Sequence, residues 1–128
     1  MNYVTDTHSL VWYFTEDPRL SETALNAFEN TVDEGTIFIP AVVLAEIMFI
    51  AKKGRIAISF EDTIKKIEEN ENFKVSSLNI DILKIADKIE TDMEMHDRLI
   101  VATAKYLEAP LITKDENIRT SEIVSTVW

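Results

Sequence analysis

Four carboxylates occupy positions in this sequence where they could do chemistry together. Asp6 follows a short β-type run in Val4-Thr5-Asp6-Thr7-His8, and Asp115 follows another in Leu111-Ile112-Thr113-Lys114-Asp115. Asp97 opens a helical segment that leads into the second of these runs. Glu46 interrupts Ala41 to Ala51, which is otherwise wholly apolar. A helix apolar all round is buried, and a buried carboxylate is costly unless it is paired, protonated or bound to metal. Carboxylates that converge repel one another and raise each other's pKa, a penalty that a divalent cation removes. An all-oxygen set suits Mg²⁺ or Mn²⁺, and such ions serve phosphoryl chemistry. Each acid also has a plainer reading. Asp6 and Asp115 could cap helices, Asp97 could complement a helix dipole, and Glu46 could reach solvent.

What positions these acids is an alternation of short β-type and helical segments. Tyr3–Thr5, Thr36–Ile39, Phe73–Val75, Leu111–Thr113 and Ile123–Ser125 read as strands. Ser21 predicts an N-cap for a helix reaching about Thr31, with Leu20 and Leu25 at the two positions of a hydrophobic staple. Asn79 repeats the device between Leu78 and Leu83, and Leu83, Ala86 and Ile89 mark the inward face, widened by Ile82 and Ile85. Ser59 with Asp62 predicts a capping box before Ile64 and Ile67, and Asp97 to Glu108 predicts a helix that stops before Pro110. Strands alternating with helices imply crossover connections and a mostly parallel sheet of four to five strands, covered on both faces. Ligands of such sheets bind beyond the carboxyl ends of the strands. Asp6 and Asp115 belong to one such edge, and Glu46 falls in the second turn of the helix after Pro40.

Composition bounds the rest. The 128 residues suit one domain, 1–128, with no linker, repeat or low-complexity segment. A hydrophobic content of 46% excludes a disordered chain. The absence of cysteine excludes disulfides and thiolate metal sites, and two histidines, His8 and His96, make zinc a poor fit. No apolar run is long enough to span a membrane, and no basic stretch marks a signal peptide, so a cytoplasmic protein is expected. The formal net charge of −10 argues against extensive nucleic-acid binding through Lys and Arg. That charge is unevenly spread. Residues 35–60 hold one acid, Glu46, against Lys52, Lys53 and Arg55. The charge therefore does not exclude RNA.

These blocks resemble the PIN-domain ribonucleases, and within them the VapC-type toxins of bacterial toxin–antitoxin pairs. Asp6-Thr7-His8 with Leu10–Phe14 and Asp17–Ser21 forms the first block, and Ala45-Glu46-Ile47 with Lys53–Ile56 the second. His96–Ala104 forms the third and Leu111–Asp115 the fourth. The resemblance implies a three-layer α/β/α sandwich. It places Asp6, Glu46, Asp97 and Asp115 at the family's acidic metal-binding positions, and Thr113 at a hydroxyl that holds water or orients a carboxylate. It further implies Mg²⁺- or Mn²⁺-dependent hydrolysis of RNA, with tRNA a common target, leaving 5′-phosphate and 3′-hydroxyl ends. A homodimer and a cognate antitoxin covering the site are implied too. His8 and Ala45 depart from residues common at those positions in the family.

Other residues admit two uses each. His8 and His96 neighbour proposed ligands and could touch phosphate or stay in the background. Arg98 could contact RNA, brace the acids or pair structurally. Lys52, Lys53 and Arg55 could bind RNA or simply end a helix, and Trp12-Tyr13-Phe14 could stack on bases or pack in the core. Two rival functions remain. One is a PIN nuclease of RNA processing or decay without an antitoxin. The other is a Mg²⁺-binding phospho-receiver domain, but that needs an acidic pair after the first strand and an Asp after the third, where Ser76-Ser77 stand.

Overall fold

The computed structural model describes residues 1–128. Five strands alternate with seven helices: β1 (Asn2–Thr5), α1 (Thr7–Phe14), α2 (Glu22–Asn30), β2 (Thr36–Pro40), α3 (Ala41–Lys52), α4 (Phe60–Glu69), β3 (Phe73–Ser76), α5 (Ile80–Asp87), α6 (Met95–Leu107), β4 (Leu111–Ile112), α7 (Glu116–Ser121) and β5 (Thr126–Val127). The sheet is entirely parallel, in the order β3-β2-β1-β4-β5. The expected α/β class with a five-stranded sheet is what the chain forms.

β1 is the central strand, pairing Val4 with Phe38 of β2 on one side and with Leu111 of β4 on the other. Tyr3, Val4 and Thr5 are buried in succession, so both faces of the sheet are covered at its centre. β3 lies at an edge, where Lys74 and Val75 are exposed. The start of β1 is fixed against β2 by Gly35. Its φ is +147°, and a Cβ there would fall 2.0 Å from the Met1 carbonyl oxygen, so only glycine lets the two strands enter side by side.

Three predicted caps are present. Ser21, Ser59 and Asn79 accept hydrogen bonds from the amides of Ala24, Asp62 and Ile82 at 3.1, 3.0 and 2.9 Å. Ser59 and Asp62 make only this half of a capping box. Asn79→Ala should lower stability by about 1 kcal/mol, read from the midpoint of urea unfolding, because it orphans the Ile82 amide.

Four expectations are corrected. The last strand is Thr126–Val127 rather than Ile123–Ser125, because Glu122 turns the chain through a left-handed residue (φ 57°) after α7, and pairing with β4 begins beyond it. The inward face of α5 is Ile82 and Ala86, with Ile89 following; Leu83 is 45% exposed on the other side. α6 starts at Met95, which puts Asp97 in its first turn instead of at its start. Finally, α3 is not buried all round. Only Val43 and Ile47 are fully enclosed, Ala45 is exposed, and Phe49 is 60% exposed. No helix is long and apolar enough to cross a membrane.

Candidate active site at the switch point of the sheet

The direction in which successive strands are added reverses between β1 and β4. From β1 the sheet grows outward through β2 to β3, and on the other side through β4 to β5. A crevice opens outside the carboxyl ends of strands at such a point. Asp6 follows β1 and Thr113-Lys114-Asp115 follow β4, so both loops reach this crevice. α3 starts immediately after β2 and brings Glu46 within two turns of the same edge. α6 runs into β4, so its N-terminal turn, with Asp97, lies at that edge too.

All four acids line one open cavity of about 450 Å³, together with Thr7, His8, Trp12, Glu94, Ile100 and Lys114. The two functions weighed for Asp6 and Asp115 coexist. Asp6 Oδ1 accepts from the Ser9 amide at 2.9 Å, capping α1, and Asp115 Oδ1 accepts from the Ile118 amide at 2.9 Å, capping α7. Each carboxylate is thereby fixed in orientation at the cavity wall. Glu46 accepts a hydrogen bond from the Thr7 hydroxyl, which ties α3 to the loop carrying Asp6.

Thr113 is fully buried between the two capping acids. Its hydroxyl accepts from the Asp115 amide at 3.1 Å and lies near enough to the Asp6 carboxylate to favour its charged form. Thr113→Val keeps the shape and removes the acceptor of the Asp115 amide. It should lower stability by about 1 to 2 kcal/mol, read from thermal melts.

Burial, and for Asp97 the neighbouring charges as well, disfavours the ionised acids. Burial pushes the Asp97 carboxyl up to about 6, and the charges of Asp115, Glu94, Asp6 and Glu46 push the same way. Burial also raises Asp6, against the lowering effect of its hydrogen bonds to Ser9 and of the nearby Thr113 and His8. Such a set accumulates unfavourable negative charge at neutral pH, and its all-oxygen donors match a hard divalent cation. No three of them are gathered into a finished coordination cage.

The chain between residues 3 and 122 matches the family model of the PIN domain. The chain belongs to the PIN-domain family. Its sheet order also differs from the 2-1-3-4-5 order of receiver domains, so that rival reading is set aside. No curated protein sequence matches the chain. Solved structures do. A chain of the VapBC2 complex from Rickettsia felis, bound to a promoter DNA fragment, is similar with a TM-score of 0.74 at 19% identity, over 98% of this chain and 97% of that one. A chain of DNA-bound VapBC from Salmonella typhimurium gives 0.73 at 14% identity, over 98% and 96%. VapC20 of Mycobacterium tuberculosis, a sarcin-ricin loop cleaving toxin, gives 0.67 at 12% identity, over 94% and 95%. At these identities the likeness is one of fold.

The structure of this PIN domain also sorts the remaining candidates. Arg98 is a structural clamp. Its guanidinium donates to the Ala86, Ile89 and Thr91 carbonyls, closing the end of α5 against α6. His8 stands at the cavity wall with its ring 5.8 Å from that of Trp12, whereas His96 is not part of the wall. Tyr13 stacks on Phe28 at 4.4 Å and Phe14 meets Phe73 edge-on, so these two rings pack inward. Lys52, Lys53 and Arg55 lie exposed at the far end of α3, outside the cavity. Four wall residues had no reading of their own in the sequence: Thr7, Glu94, Ile100 and Lys114. Each is within three positions of a predicted acid, and that adjacency was the available signal.

Proposed function

We propose that this PIN domain is a VapC-type toxin: a divalent-metal-dependent endoribonuclease whose site is Asp6, Glu46, Asp97 and Asp115, supported by Thr113. The observation that carries this reading is the meeting of those four acids in one cavity at the switch point, with Asp97 raised by burial first and then by the charges of its acidic neighbours. The acids would hold Mg²⁺ or Mn²⁺, with the Asp6 and Asp115 carboxylates pre-aimed by their caps. When bound, such an ion offsets the carboxylate charge, lowers the pKa of water and stabilises charge developing on a phosphate. The reaction adds water across a phosphodiester. The bond from phosphorus to the 3′-oxygen breaks, giving one 5′-phosphate and one 3′-hydroxyl end. An acid of the wall that is not engaged in holding metal would accept the proton of the attacking water.

Partners follow from the same reading. The likeness to chains of VapBC complexes supports a cognate antitoxin. A basic antitoxin side chain reaching into this acidic cavity would compete with metal for the carboxylates. Exposed Phe49, Ile80 and Met95, at 60, 69 and 65%, leave apolar helical surface that a second copy would cover, which supports a homodimer. A protein of this kind works in the cytoplasm, where tRNA and rRNA are.

The test is incubation of purified protein with total RNA and Mn²⁺, followed by mapping of the cut ends. Discrete internal cuts with 5′-phosphate ends are expected. Intact RNA across a range of Mn²⁺ concentrations would sink the reading. The antitoxin is tested separately, by looking for a small open reading frame adjoining the gene whose product co-purifies with this chain and blocks cleavage.

A further inference from the structure

The acidic cavity poses a problem for any RNA substrate. Its wall carries Asp6, Glu46, Glu94, Asp97 and Asp115, and a polyanion approaching it is repelled. Lys114 is the one Lys or Arg in that wall. It is exposed, and it follows Thr113 directly, so its backbone is anchored to the C-terminal end of β4.

Its ammonium is not spent on a carboxylate. The molecule's one close ion pair joins Arg19 to Asp17, at 2.7 Å. Instead the Lys114 ammonium sits 5.8 Å from the centre of the Trp12 ring. A cation over an indole face is held in place without being neutralised. Trp12 is itself braced, buried and edge-on to Trp128 at 5.9 Å. Arg19 offers a contrast within the same cluster. Its guanidinium lies 5.0 Å from the same ring, but Asp17 grips it through two hydrogen bonds of 3.0 and 2.7 Å, and it lies outside the cavity wall. Of the two cations on Trp12, only Lys114 keeps its charge free and faces the site.

We propose that Lys114, held over Trp12 at the rim of the acidic cavity, is the RNA-binding cation of the site and grips a backbone phosphate of the substrate. The assignment rests on the ribonuclease reading above. A free ammonium at the rim offsets repulsion where the strand enters, leaving the inner carboxylates to metal. A lysine acts there as a point charge on phosphate, without reading sequence. It therefore contributes to substrate binding more than to the chemical step.

The experiment compares wild type, Lys114→Gln, Lys114→Arg and Arg19→Gln in Mn²⁺-dependent cleavage of total RNA. Lys114→Gln should raise the apparent KM roughly tenfold with kcat within about a factor of two, and Lys114→Arg should restore KM. Arg19→Gln should leave both unchanged. In parallel, total RNA is titrated into Asp6→Asn protein with and without Lys114→Gln, followed by tryptophan fluorescence. Loss of Lys114 should lower the salt slope of binding by roughly one. A cleaving wild type with unchanged KM and salt slope in Lys114→Gln overturns the Lys114 assignment alone, as does failure of arginine to restore KM. A wild type that cuts no RNA overturns the ribonuclease reading and this assignment with it.

Discussion

Asp97→Asn should cut RNA cleavage by about 10³-fold and, in the metal-free protein, raise stability at neutral pH. The two effects share one cause. Asp97 is pushed up to about 6 by burial and by the charges of Asp115, Glu94, Asp6 and Glu46. A carboxyl with its folded pKa above the unfolded value binds its proton more readily when folded. Its ionisation therefore costs folding free energy, and stability falls as pH rises from the ordinary aspartate value of 3.8 through about 6. At face value a shift of that size is worth about 3 kcal/mol. Asp97 is partly open to solvent, and screening reduces the figure to about 1 kcal/mol. Asparagine keeps the shape and removes the charge. The metal-free variant should melt a few degrees above wild type at pH 7.5 and level with it near pH 4. Saturating Mn²⁺ should stabilise wild type and leave the variant little changed. Wild-type cleavage should rise with pH through about 6 as metal displaces the proton. Melting curves at both pH values and cleavage rates from one preparation check each statement.

The second large effect lies one residue away and is opposite in kind. Arg98→Met should destabilise the domain by about 3 kcal/mol, lowering the melting temperature by about 10 °C. Methionine retains much of the apolar stem but removes the donors to the Ala86, Ile89 and Thr91 carbonyls. Those carbonyls end α5 and start the turn towards α6, and hydrogen bonds from a charged donor are the stronger kind. The loss is a sizeable part of a domain's usual 5 to 15 kcal/mol. Neighbouring residues thus have separable signatures. The Asp97 variant should lose activity and gain stability, and the Arg98 variant should lose stability.

The sequence made the acids legible because each has a local marker: a strand just before Asp6 and Asp115, a helix start near Asp97, and an apolar helix around Glu46. It could not show that capping and site roles coincide. Asp6 and Asp115 each use one oxygen on a helix amide and stand in the cavity wall, a fact of three-dimensional placement. The α5 face was misread because apolar residues at 80, 82, 83, 85 and 86 fit more than one helical stripe, and packing against α6 chose Ile82 and Ala86. β5 was misplaced because two-residue strands have no period to detect, and Ile123–Ser125 has the stronger β composition. Trp128 gave no signal of its own, although it braces Trp12. Lys114 had no reading of its own until the fold placed it beside Trp12 and in a wall with five carboxylates.

The central claim is that Asp6, Glu46, Asp97 and Asp115 act together by holding a divalent ion against RNA. Cleavage of total RNA by the purified protein, measured before and after EDTA and again after Mn²⁺ is restored, tests it most directly. Cleavage that stops on chelation and returns with Mn²⁺ in wild type, but not in Asp6→Asn protein that melts cooperatively, is the predicted result. Cleavage that survives EDTA, or full activity in Asp6→Asn, would contradict the account.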